Sequence, residues 1–228
     1  MGHPPSRILL GGLDMERSSV EYRSYTTHRV RRRFAMAHLH LDSWIQYTWE
    51  ILGTVWLIGL AFTKRNVSPG TGSGFSILLQ RVVFVLGFFL VASDLFQRGW
   101  LGTAFLAETY AMQATGFFLT VLGCLFAIWA RLALGANWSG TANVKQGHQL
   151  IVKGPYRLTR HPIYTGILVA CVGTALGIGQ WRCLAGLIVI SLGLVLKMSQ
   201  EERLMMATFP EGYPQYRRRV KALIPGIL

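Results

Sequence analysis

Apolar runs about twenty residues long, bounded by aromatic and cationic residues, constrain this chain more than any other feature. Trp44–Phe62 is opened by Trp44, Tyr47 and Trp49 and followed by Lys64-Arg65, and two further runs cover Phe75–Phe96 and Tyr110–Leu134. Each reaches the ~20 apolar residues that a helix needs to cross a bilayer core. Aromatics at one end and cations at the other are what the two membrane interfaces select. Charged residues make up 14% of the 228 positions and hydrophobic ones 51%, whereas a soluble domain is about 25% charged. The chain therefore lacks the polar material to coat a water-facing globule, and disorder, collagen and coiled coil fall to the same figures. The expected fold class is an all-α integral membrane protein.

The rest of the chain completes that expectation. Residues 1–40 form a polar, basic N-terminal extension with no signal-peptide core and are expected to be mobile. Asn66–Gly74 (NVSPGTGSG) is a loop, because its Pro and its Gly and Ser residues break any periodicity. Gly135–Tyr164 is the longest non-apolar stretch after the N-terminus. Two shorter runs, Ile163–Gln180 and Cys183–Leu196, are joined only by Trp181-Arg182, which predicts a tight antiparallel helical hairpin. Gly166, Ala170, Gly173 and Gly177 recur at helical spacing, so two helices can approach closely in lipid. From Lys197 to Leu228 the chain is amphipathic and polar. The expected organisation is thus about five transmembrane helices, three of them within 41–134. Residues 135–228 then carry the functional region, with the hairpin and a cytoplasmic amphipathic tail.

The net charge of +13 fits basic loops facing an anionic cytoplasmic leaflet better than nucleic-acid binding. With a cytoplasmic C-terminus, the inner side collects Lys64, Arg65, Arg131, Lys145, Lys153, Arg157, Arg160 and the cations after the last helix. Five spans would then leave the seven arginines of the extension outside, against the positive-inside rule. Either the span count is wrong or translation starts later than Met1, at Met15 or Met36; the second is favoured, because a start at Met36 removes all seven. Cys124, Cys171 and Cys183 are far apart in apolar stretches, so neither a zinc site nor a disulfide framework is expected.

Two polar segments flank the hairpin and carry the candidate chemistry. In the first, Gly154-Pro155 forces a turn and Pro162 opens a helix at its first position, where a missing N–H costs nothing. Arg160 and His161 then sit at a helix N-terminus, whose free N–H groups and positive potential suit a ligand carboxylate. In the second, Glu201 and Glu202 are expected on a following helix, placed to accept hydrogen bonds from hydroxyls or amines. Tyr156, Tyr164, Phe209, Tyr213 and Tyr216 offer flat faces for an adenine or a sulfonium.

The pattern G-P-Y-R-x-x-R-H-P-x-Y-x-G, preceded by H-x-L-I-V and followed by E-E-x-x-L and F-x-x-x-Y-x-x-Y, resembles the isoprenylcysteine carboxyl methyltransferase family. That family is similar in turn to the phospholipid N-methyltransferases, and both use S-adenosylmethionine (SAM) in the membrane. The resemblance covers Asn137–Pro225. It implies SAM contacts from His148, Gly154, Pro155, Tyr156, Arg160, His161, Tyr164, Glu201 and Glu202, with Arg160, Glu202 and Lys197 as catalytic candidates. Lys197 stands where the eukaryotic carboxyl methyltransferases would lead one to expect arginine, and the third helix has isolated Gly116 and Gly123 but no G-x-G. The implied reaction is in-line methyl transfer to a lipid-like or prenylated acceptor in the bilayer, with no metal and no nucleic acid. A carboxylate acceptor needs a cation to orient it, whereas an amine needs a nearby carboxylate as proton acceptor. Carboxyl O-methylation, phospholipid or other amphiphile N-methylation, and a non-catalytic membrane module on the same scaffold remain as readings.

Several residues read more blandly. Tyr213 and Tyr216 are expected as interfacial anchors ahead of stacking partners, and Arg217-Arg218-Arg219 as an anionic-lipid contact. Trp138 is expected at the membrane surface, and Glu50, Arg81 and Asp94 in structural roles.

Overall fold

The computed structural model describes residues 41–59, 61–62, 74–92, 94–138, 147 and 149–227. The extension 1–40, loop residues 66–73 and His148 lie outside the described residues. Among the described residues the protein is helical, with one isolated antiparallel bridge between Ala104 and Gln180. Helix α1 covers 41–59, α2 Gly74–Ala92, α3 Tyr110–Leu134, α4 Pro162–Ile178, α5 Trp181–Thr208 and α6 Gly212–Arg219.

Helix α3 has the bounds expected from hydropathy, and Thr109 caps it by accepting from Met112 N at 3.2 Å. Helix α2 stops at Ala92, and the expected apolar tail to Phe96 instead enters a 3-10 turn, Asp94–Gln97. Helix α5 does not end with its apolar run at Leu196 but continues unbroken to Thr208. Glu201 and Glu202 therefore extend the hairpin helix itself, rather than sitting on a separate helix as expected. Lys, Met, Gln, Glu and Leu in that extension are all good helix formers, so nothing in it breaks the helix.

Among the described residues two helices, α3 and α5, are long and apolar enough to cross a membrane, and only 33% and 28% of their most apolar stretches are buried within the protein. Leu57, Val85 and Phe118 are 65–70% exposed, among many other large apolar side chains. A soluble core helix would hide such residues; here they face outward, as they do in an integral membrane protein.

The hairpin turns at Gly179, which adopts φ +68° and donates its N–H to Ala175 O at 2.9 Å. The small-residue stripe of α4, however, does not pack on its hairpin partner. A Cβ placed on Gly166 would lie 2.6 Å from Gly123 O, and one on Gly173 2.5 Å from Thr120 N, so the stripe faces α3. Gly116 and Gly123, isolated in the sequence, are the other half of this contact. Thr120 and Thr174 seal it with hydroxyls 3.3 Å apart, and Trp49 Nε1 of α1 donates to Thr174 Oγ1 at 2.9 Å. Helix α5 instead pairs with α2, where Gly87 meets Ile190 and Gly186 meets Val91.

Arginines tie the helix ends. Arg182, expected in the link of the hairpin, lies in the first turn of α5, where it is buried and donates to Gln180 Oε1 at 2.6 Å and to Val91 O. Arg131 donates to Gly135 O at 2.9 Å and to Gly59 O at 2.6 Å, joining α3 to α1. Its guanidinium lies 4.4 Å from the Trp138 ring centroid. Trp138 is thus half-buried under a cation and edge-on to Trp56.

Candidate functional site

Gly154 takes φ +62°, where a side chain would be strained, and opens the 3-10 turn Gly154–Arg157. That turn buries Pro155 and Tyr156 and delivers Arg160 and His161 to the first turn of α4. The chain after α6 then runs across this helix end. Arg160 N donates to Lys221 O at 2.8 Å, His161 N to Ala222 O at 3.0 Å, and Thr165 Oγ1 to Leu223 O at 2.8 Å. Donors that a helix N-terminus leaves unsatisfied are taken by the tail.

Side chains reinforce the junction. Arg160 Nη2 and Nε approach Glu202 Oε1 at 2.6 and 2.9 Å, and Nη1 donates to Val220 O at 2.5 Å and Arg217 O at 3.3 Å. One guanidinium therefore clamps α4, α5 and the tail together. His161 Nε2 lies 3.4 Å from the same Glu202 oxygen, and Arg217 Nε 3.4 Å from Glu202 Oε2. Arg217, expected as a lipid contact only, belongs to this ion cluster because α6 folds back over the end of α5. With these donors converging on it, Glu202 is held as the carboxylate. Glu201 points the other way, 3.7 Å from His161 Nδ1 and 3.9 Å from Lys197 Nζ. The His161 and Tyr164 rings stack at 5.3 Å with an interplanar angle of 3°.

Beside this cluster opens a cavity of about 230 Å³. Tyr156, Arg160, His161, Tyr164, Lys197 and Glu201 line its polar side, and Trp56, Phe84, Phe88, Ile167 and Leu194 its apolar side. Glu202 supports the wall from behind, and Gly154 and Pro155 shape the turn without lining the cavity. Tyr213 and Tyr216 are buried cavity residues and not interfacial anchors. Burial pushes the phenols of Tyr156, Tyr213 and Tyr216 well above their usual range, so all three stay neutral. Tyr216 spends its proton on Tyr156 O at 2.6 Å, anchoring α6 to the turn. Tyr216→Phe is expected to cost about 1 kcal/mol through that one lost bond, read as a small fall in thermal midpoint in detergent.

Sequence reasoning missed the apolar wall. Trp56, Phe84 and Phe88 lie on α1 and α2, far upstream of the motif, and their only sequence signal is aromatic residues inside a span. It also missed Arg131, whose carbonyl partners leave no side-chain pattern to read.

A family model described as phospholipid methyltransferase matches residues 111–212. The protein-S-isoprenylcysteine O-methyltransferase of Schizosaccharomyces pombe is 30% identical over 129 residues, covering 54% of this chain and 52% of that protein. The cobalt-zinc-cadmium resistance protein CzcN of Cupriavidus metallidurans is 28% identical over 178 residues, covering 72% of this chain and 76% of that protein. Among solved structures, the eukaryotic intramembrane Ras methyltransferase, an isoprenylcysteine carboxyl methyltransferase, aligns at 20% identity with a TM-score of 0.48. That alignment covers 67% of this chain and 52% of the other. The chain thus spans about half the length of the Schizosaccharomyces pombe relative it matches.

Proposed function

We propose that this isoprenylcysteine carboxyl methyltransferase-like chain is an integral membrane methyltransferase that takes its methyl group from SAM and transfers it to a lipidated or lipid-like acceptor. One observation carries the reading: a single cavity has an ionic wall from the two motif segments and an aromatic, apolar wall from helices whose outer faces expose large apolar side chains. A zwitterionic nucleoside suits the first wall and a hydrocarbon chain the second.

Fit to the donor can be argued from the residues present. Glu201 supplies carboxylate oxygens for a ligand amine or ribose hydroxyls, and Arg160 gives the wall a positive potential that suits a ligand carboxylate. The rings of Tyr156, Tyr164 and Tyr213 offer faces for a base or a sulfonium. SAM, when bound, supplies an electrophilic methyl on sulfur. The chain's own work is to hold the reactants in line and exclude water, and such positioning carries most of the rate in a displacement of this kind. Arg160 and Glu202 act as positioning residues, because their bonds to each other and to the tail set the shape of the ionic wall. Lys197, 5.8 Å from the Tyr164 ring centroid, is the cation that orients the acceptor. The cations of this end support a site at the cytoplasmic leaflet, by the positive-inside rule.

Calorimetry on the full chain in detergent is expected to show SAM binding; intact, folded protein that binds none removes the reading. A second reading, N-methylation of a phospholipid headgroup, is favoured by the description of the matching family model. Base treatment of the methylated product separates the two, since it cleaves esters and spares N-methyl groups. A base-stable product would establish the second.

A further inference from the structure

At the ionic end of the bundle, two segments carry exposed side chains that the cavity does not use. Lys153 and Arg157 flank the turn before α4, and Arg218, Arg219 and Lys221 end α6 and begin the tail; all five are exposed. Neither 149–158 nor 212–227 contains an Asp or Glu to answer them. Arg217 differs, because it is spent on Glu202. Interleaved with these cations stand Val152, Leu158, Ile224 and Ile227, 44–75% exposed.

The fold makes one surface of the two segments. Arg160 N donates to Lys221 O at 2.8 Å and His161 N to Ala222 O at 3.0 Å, while Tyr216 donates its hydroxyl to Tyr156 O at 2.6 Å. Ile224 and Ile227 share a turn closed by Ile227 N donating to Ile224 O at 3.1 Å. The depth of this surface follows from α4. That helix has 17 residues, about 25 Å at 1.5 Å per residue, against a hydrocarbon core of about 30 Å. With the Gly179 turn at the opposite interface, the start of α4 does not outreach the core. The tail that crosses it therefore lies at headgroup level and not out in water.

We propose that this surface docks on anionic lipid of the leaflet in which the chain sits. The five cations meet lipid phosphates, and the four aliphatic side chains enter the upper acyl chains. An acidic protein would answer the cations but leave the aliphatic side chains among them unmatched, whereas a charged leaflet answers both. The claim stands whatever reaction the cavity supports.

The test uses the full chain in lipid nanodiscs, with a bimane fluorophore on Ile227→Cys. Cys124, Cys171 and Cys183 are buried, so the label goes to the new thiol. The probe is phosphatidylcholine spin-labelled near the top of its acyl chain, a quencher at the depth claimed. Discs of equal parts phosphatidylcholine and phosphatidylglycerol are expected to quench the label severalfold more than phosphatidylcholine alone. Each cation at an anionic surface is worth about fivefold in the docking equilibrium. Arg218→Gln/Arg219→Gln/Lys221→Gln is therefore expected to return quenching to the phosphatidylcholine level. Salt near molar, which shortens the screening length to about 3 Å, is expected to do the same. Lys221 holds α4 through its carbonyl, so the triple variant should keep its thermal midpoint. If it does not, Lys153→Gln/Arg157→Gln is expected to lower quenching from the other segment. Weak quenching in both lipids means a solvated face or another partner and overturns the proposal. Strong quenching in both overturns recognition of lipid charge, as does a folded triple variant that behaves like wild type.

Discussion

Arg160→Ala is expected to abolish SAM binding at concentrations that saturate the wild type, with a fall in thermal midpoint alongside. The guanidinium is 9% exposed and its partner Glu202 15%, so both charges sit mostly out of water. Removing the cation strips Glu202 Oε1 of its two shortest bonds and leaves Val220 O and Arg217 O without their donor. Breaking one side of a buried ion pair costs about 3–5 kcal/mol, because the remaining charge is left without compensation. The tail then loses its hold on the start of α4, and the ionic wall loses its shape. Arg160→Lys separates charge from geometry: one ammonium cannot serve the carboxylate and two carbonyls at once. It is expected to keep more of the thermal stability than alanine while still losing most SAM affinity. Calorimetry and thermal melts of both variants check this, and an alanine variant that binds SAM like wild type overturns the assigned role.

Gly173→Val is expected to have a comparable effect on folding with no ligand involved. Its Cβ would lie 2.5 Å from Thr120 N and 2.6 Å from Gly116 O, both backbone atoms that no rotamer change can move. Overpacking a core costs about 1–3 kcal/mol when side chains can give way; here α3 and α4 themselves must separate. That would also break the Thr120–Thr174 contact and the bond from Trp49. Loss of the monodisperse species on size exclusion in detergent is the expected readout. Gly53→Ala is the control: nothing lies within 4 Å of its Cβ position, and alanine favours the helix by about 1 kcal/mol. If both glycine variants behaved alike, the close approach of α3 and α4 would not be what holds the bundle.

Much of this architecture is legible in the amino-acid sequence. Helix α3 has the bounds its hydropathy predicts, and the tight hairpin is present, although α4 ends at Ile178, two residues before the expected Gln180, and the expected link Trp181-Arg182 forms the first turn of α5. The motif segments around Arg160 and Glu202, 42 residues apart, are expected to share one site, and the folded chain brings them into contact. The expectations that fail share a cause. Tyr213 and Tyr216 look like interface anchors because tyrosines near a membrane end usually are; their burial comes from α6 folding back, and that fold-back is held by backbone carbonyls. Carbonyls belong to every residue alike and carry no sequence signature.

Sequence alone determined which stretches form apolar helices and roughly where polar segments follow them, because both follow from the solvent preference of residues near one another in the chain. Tertiary structure alone decided that the glycine stripe of α4 meets α3 and not its hairpin neighbour, and that Trp56, Phe84 and Phe88 close the cavity. In hydrocarbon every apolar face is equally well solvated, so hydrophobicity does not choose between neighbours. The choice falls to shape, to the depth at which one helix lets another backbone approach, and shape emerges only when distant segments are brought together.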